Sequence, residues 1–183
     1  EEVRVEYSGD LAAYETQPMT VALLKGLLSF TRDVETVNYV NASLIAEEQG
    51  IRVTEGRTRR DVNFTNKVTV YFGSGGRENC LVGVVFGKDG PPRLVRMNQY
   101  FFEAILEGDM LIMENLDKPG TIGSIGFLLG ENKINIAGFH LGRDQAGGKA
   151  VAFINLDNPM PEEVLVKAAE LPNILSVRQI ALD

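Results

Sequence analysis

Met110-Leu111-Ile112-Met113-Glu114-Asn115-Leu116-Asp117-Lys118-Pro119-Gly120 is the stretch on which the fold of the second half turns. An apolar run of strand length ends in polar residues, and Pro119 stands where the first turn of a helix accepts a proline. Working outward, 110–114 reads as a strand, 119–129 as a helix and 134–143 as a strand. A turn at Gln145-Ala146-Gly147-Gly148 returns into a strand over 150–156, then a helix over 161–171 and a last strand over 174–182. The order βαββαβ predicts a ferredoxin-like antiparallel sheet with both helices on one face.

The first half reads differently. Val3-Arg4-Val5-Glu6-Tyr7 alternates as a strand, and Gly9-Asp10-Leu11-Ala12 turns the chain. A helix is expected over 19–30, capped by Thr20, with Val21, Leu24, Leu27 and Leu28 at helical spacing. A second helix over 41–50 ends at Gly50, in the position that tolerates positive φ. Strands follow over 51–55, 65–72, 80–86, 93–97 and 101–105. The expectation is an α+β domain over 1–108 followed by a second domain over 109–183. A chain that enters a strand at once, without an initiator Met, is expected to be a piece of a longer polypeptide.

Composition narrows the function. The 183 residues, 44% hydrophobic and 23% charged, suit one large or two small soluble domains. With 25 acidic against 18 basic residues the net charge is −7, which argues against a nucleic-acid partner. No apolar run approaches the ~18 residues of a membrane span, so no membrane association is expected. One cysteine and one histidine cannot build a four-ligand zinc site, and no metal is expected. A single cysteine also forbids an internal disulfide, which fits a cytoplasmic location. Cys80 lies in the apolar run Cys80-Leu81-Val82-Gly83-Val84-Val85-Phe86 and reads as core.

Gly73-Ser74-Gly75-Gly76 resembles a phosphate loop only superficially. Arg77-Glu78-Asn79-Cys80 leads back into a strand rather than opening a helix, so a hairpin turn is expected. Glu47 and Glu48 are neighbours on a helix and point about 100° apart, so they cannot converge on a substrate. His140 has no base or nucleophile beside it, and no catalytic residue is assigned. Arg57, Arg59 and Arg60 after one strand, and Lys88, Arg93 and Arg96 on a hairpin, are either solvated charges or an anion site for phosphate or carboxylate.

The richest constellation is Asn115, Asp117 and Asn135 around a helix carrying Gly120, Gly123, Gly126 and Gly130. Helix capping accounts for Asp117 and Pro119 by itself. The glycines need another reason, because each weakens a helix by up to ~1 kcal/mol relative to Ala. Close approach of a ligand or a second backbone is that reason. Asn115 and Asp117 lie at one end of the helix and Asn135 near the other, so a neighbouring subunit is expected to complete the site.

Met113-Glu114-Asn115-Leu116-Asp117-Lys118-Pro119-Gly120-Thr121-Ile122-Gly123 with Ile134-Asn135-Ile136-Ala137 resembles the ACT domain, a family of amino-acid sensors. Glu2-Val3-Arg4-Val5-Glu6-Tyr7-Ser8-Gly9, Leu24-Lys25-Gly26-Leu27-Leu28, Val37-Asn38-Tyr39-Val40-Asn41-Ala42, Ala46-Glu47-Glu48 and Gly50-Ile51 resemble the intervening domain of long-form D-3-phosphoglycerate dehydrogenase. The resemblance implies a parent that oxidises 3-phosphoglycerate with NAD in serine synthesis. It also implies that this fragment holds no cofactor and is inactive alone. It implies L-serine bound between ACT domains of a homo-oligomer, at Asn115, Asp117 and Asn135, and an anion site near Arg93. Asn115 departs from the bulkier His or Tyr of relatives, and Ile105 stands where some carry another Arg. The amides of Gly120 and Thr121 are expected to meet the ligand carboxylate, as helix N-termini favour anions. Two alternatives remain: the regulatory subunit of an iron-sulfur L-serine dehydratase, and an oligomerisation module whose ACT site is vestigial.

Overall fold

The computed structural model describes residues 1–29, 36–59, 64–74, 76–87 and 90–182. They form two compact units that divide at Pro91/Pro92.

In the first unit, β1 (Glu2–Gly9) leads through a 3-10 turn (Asp10–Ala13) to α1 (Gln17–Leu28) and α2 (Ala42–Glu48). β2 (Arg52–Thr58), β3 (Asn66–Ser74) and β4 (Arg77–Val85) follow. β1 is central: it pairs in parallel with β2 and antiparallel with β3, which pairs with β4. The alternation read in the sequence is the cause of the core. Val3, Val5 and Tyr7 are buried together with Leu24, Leu28, Ala42, Ile45 and Ala46. Each valine, leucine and isoleucine among them contributes roughly 1.5–3 kcal/mol on burial. Ser74 pairs with Arg77 across the β3–β4 hairpin, and a strand rather than a helix follows. Gly9 is fixed by packing: its φ is +79° and a Cβ there would collide with the Thr65 carbonyl oxygen.

The cap of α1 differs from the expectation. The helix starts at Gln17, with Pro18 in its first turn and Thr16 before it, so Thr20 lies inside. Thr20 is instead the middle of a polar chain. Its hydroxyl donates to Glu55 Oε1 at 2.5 Å and therefore accepts from the Tyr7 hydroxyl at 2.7 Å. Thr16 donates to Glu55 Oε2 at 2.9 Å, and Arg57 lies 3.6 Å from the same oxygen. Buried hydroxyls satisfied this way cost little, whereas unpaired ones would be expensive.

The second unit contains β5 (Pro92–Met97), β6 (Tyr100–Ile105), β7 (Gly108–Leu116), α3 (Thr121–Glu131) and β8 (Ile136–Arg143). It ends with β9 (Lys149–Leu156), α4 (Glu162–Glu170) and β10 (Ile174–Leu182). From β7 onward this is the expected βαββαβ order, in an antiparallel sheet of order β10-β7-β9-β8. Leu111 and Met113 on β7 and Ala152 and Ile154 on β9 are buried with Ile125, Leu129, Val164 and Ala168 from the helices. The acidic first turn of α4 (Glu162, Glu163) and Lys167 in its last turn complement the helix dipole.

Within the second unit a further packing layer forms, where Phe102 of β6 stacks on Phe153 of β9 with centroids 4.6 Å apart. Asn155 Nδ2 donates to the carbonyls of Ile105 and Glu107, both at 3.1 Å. Gly142 on β8 lets the β6 backbone in, since a Cβ there would lie 2.8 Å from the Phe101 oxygen.

Candidate functional site

Asn115 extends the Leu111–Met113 side of β7 to its end, opposite Ala150 and Ile174. It is only 2% exposed. Its Nδ2 donates to the Leu116 carbonyl at 2.8 Å, while its Oδ1 has no partner among the described residues. A buried acceptor left unpaired costs about 1–3 kcal/mol, so a structure retains one where a ligand or water supplies the donor.

Asp117 does not cap α3. The helix begins at Thr121, behind Gly120 at φ +90°, and no side chain caps it. The Asp117 carboxylate instead holds the β8–β9 hairpin through Oδ2, which accepts from Arg143 Nη1 at 3.0 Å and the Gly147 amide at 3.1 Å. The Asp117 amide donates to the Gly148 carbonyl at 2.8 Å. The Gly147 amide, and after it Arg143, draw the Asp117 carboxyl below its ordinary value. Among the described residues its Oδ1 is open. Neither Arg143 nor Gly147 was picked out in the sequence. The signal was the strand order: β7 runs beside β9, so residues after Leu116 meet the hairpin that opens β9.

Asn135 lies before β8, exposed, with its Nδ2 on Asp157 Oδ2 at 2.8 Å. The eleven residues of α3 separate it from Asp117, roughly 16 Å of helix. The Thr121 amide is not open to a ligand: it donates to the Lys118 carbonyl at 3.3 Å, and the residue is buried. Gly120 is exposed. Along α3 a groove of about 430 Å³ is lined by Gly120, Gly123, Ser124, Phe127, Glu131 and Leu171, among others. A Cβ at Gly120, Gly123, Gly126 or Gly130 would meet nothing within 4 Å among the described residues outside its own helix backbone, and Phe127 is 67% exposed. Among the described residues no neighbour crowds these glycines.

The family model described as the D-3-phosphoglycerate dehydrogenase intervening domain matches residues 1–98, more than half of the chain. The chain belongs to that family. The ACT domain model matches residues 110–172, the span that holds Asn115, Asp117 and Asn135. D-3-phosphoglycerate dehydrogenase of Methanocaldococcus jannaschii is 37% identical, covering 98% of this chain and 34% of the relative. The enzyme of that name from Archaeoglobus fulgidus is 35% identical over 98% of this chain and 34% of the relative. The Bacillus subtilis one is 31% identical over 100% and 34%. The chain therefore spans about a third of the length of these relatives and corresponds to their C-terminal regulatory part. No helix among the described residues is long and apolar enough to cross a membrane.

Arg57 on β2 is engaged by Glu55 and by the Tyr14 carbonyl, at 3.5 Å from the latter, and Arg59 follows β2 as an exposed side chain. Arg93 and Arg96 lie on β5, in the second compact unit, where Arg96 Nε donates to the Asn98 carbonyl at 2.6 Å. Arg60 and Lys88 lie outside the described residues. Cys80 is buried, and Glu47 and Glu48 are exposed.

Proposed function

We propose that this chain is the L-serine-sensing regulatory part of an NAD-dependent D-3-phosphoglycerate dehydrogenase. The ligand lies between ACT domains of two subunits, and the catalytic and NAD-binding work belongs to other parts of the parent. The observation that carries the reading is the buried Oδ1 of Asn115, unpaired among the described residues, two positions before Asp117, whose carboxylate is engaged through Oδ2 only, on the β7–α3 connection that leads into the glycine-bearing helix. An ammonium group presents three donors to such acceptors. Asn135 is too far along α3 to join them within one subunit, so the partner supplies it. Gly120, exposed before α3, lines the open side of the groove.

Such a ligand acts on the parent enzyme by cross-linking two subunits. It favours one arrangement only by the difference in its affinity for the two. The match over 1–98 favours the dehydrogenase over the serine dehydratase subunit. Calorimetry with L-serine on the unsubstituted chain, Asp117→Ala and Asn135→Ala tests the reading. Loss of a charge-assisted hydrogen bond at Asp117 should cost roughly 1.5–3 kcal/mol, about tenfold to hundredfold in affinity. Unchanged affinity in both variants, or tight binding to a strict monomer, overturns it. A chain that no amino acid stabilises against heat is the vestigial module.

A further inference from the structure

We propose that Arg143 is a ligand-binding residue of the ACT domain, anchoring the carboxylate of the amino acid whose ammonium sits on Asp117. The proposal rests on the reading above and extends it to a residue outside the Asn115, Asp117 and Asn135 set. Arg143 ends β8 and spends one nitrogen, Nη1, on Asp117 Oδ2 at 3.0 Å. Its side chain is 58% exposed, and the rest of the guanidinium has no other partner among the described residues. Asp117 is engaged through Oδ2 only. The pair therefore shows solvent an open carboxylate oxygen beside open guanidinium donors, held in place by the Gly147 amide and the Asp117–Gly148 backbone bond.

An α-amino acid carries the complementary pattern, an ammonium and a carboxylate on one carbon. Laid across the pair, it places each charge against its opposite, so four charges alternate. A guanidinium offers its donors in a planar fork that a carboxylate accepts two at a time. The carboxylate needs this anchor because the Thr121 amide is already given to Lys118. The same geometry decides between ligands. An amine without a carboxylate meets the Arg143 charge as repulsion, and an acid without an ammonium meets Asp117 the same way, so the site selects zwitterions.

The test is a two-by-two cycle, Arg143→Gln against removal of the ligand's carboxylate charge. The 183-residue chain is titrated with L-serine and with L-serine methyl ester, followed by amide chemical shifts so that millimolar binding is read. The unsubstituted chain should prefer serine over its ester by about tenfold or more, within the tenfold to hundredfold span of a charge-assisted hydrogen bond. Arg143→Gln should bring the two ligands to within about twofold, chiefly by weakening serine, and Arg143→Lys should fall between. A preference unchanged in Arg143→Gln overturns the proposal. Equal weakening of both ligands also overturns it, because Arg143 would then act only by positioning Asp117. If the unsubstituted chain binds no serine, the serine reading itself has failed, which is distinguishable because it needs no variant.

Discussion

Phe102 and Phe153 stack with ring centroids 4.6 Å apart and planes 28° from parallel, fastening the β5–β6 hairpin to the ACT sheet. Phe153 is 2% exposed and Phe102 9%, so the contact is core. Phe102→Ala should destabilise the second unit by about 3 kcal/mol or more, as large-to-small core changes do. Urea unfolding of the variant checks this. A fragment over 92–183 should likewise be markedly more stable than one over 109–183. Equal stability of the two would contradict the placement of the hairpin in this unit.

Glu55 gives the intervening domain a pH dependence. Burial works to raise its pKa, but the hydroxyls of Thr20 and Thr16 and the Arg57 charge more than offset this, and the net shift is downward. A carboxyl lowered in the folded state contributes stability above its ordinary value of 4.5 and loses it as pH falls through the depressed folded value. Glu55→Gln should therefore be less stable than the unsubstituted chain at neutral pH, and the gap should close in acid. Denaturant melts across pH 7 to 2 check it; a gap that persists at the acid end contradicts the ionised network.

Gly123→Ala should act with opposite signs on folding and on assembly. The added methyl meets open space in this chain, so the helix gains up to ~1 kcal/mol from propensity. If a second copy lies on the α3 face, that methyl intrudes on it. Chemical denaturation should show a more stable subunit, and light scattering a weaker oligomer. An oligomer that tightens or stays unchanged places the interface elsewhere.

The architecture was legible where period and punctuation agreed. The alternation over β1, the βαββαβ order and the Gly50 helix end, at φ +69°, all follow from local patterns. What was not legible depends on partners distant in sequence. Asp117 looks like a cap because Pro119 follows it, but Gly120 at positive φ delays the helix and frees the carboxylate for Arg143 and Gly147. Thr20 looks like a cap until Glu55 and Tyr7, brought in by β2 and β1, claim its hydroxyl. The packing of β6 on β9 rests on an aromatic stack and an asparagine side chain, Phe102 on Phe153 and Asn155 on the Ile105 carbonyl.

The central claim is that each L-serine site takes Asp117 from one subunit and Asn135 from the other, and subunit mixing tests it most directly. Asp117→Ala and Asn135→Ala are each titrated with L-serine by calorimetry, then mixed in equal amounts, allowed to exchange subunits and titrated again. In a two-fold interface each mixed dimer has one doubly altered site and one intact site. Random exchange should therefore restore roughly one quarter of the sites, at unaltered affinity. That recovery, from two variants that each bind weakly alone, is the predicted result. A mixture that exchanges subunits yet binds no better than its separate components would contradict the shared site.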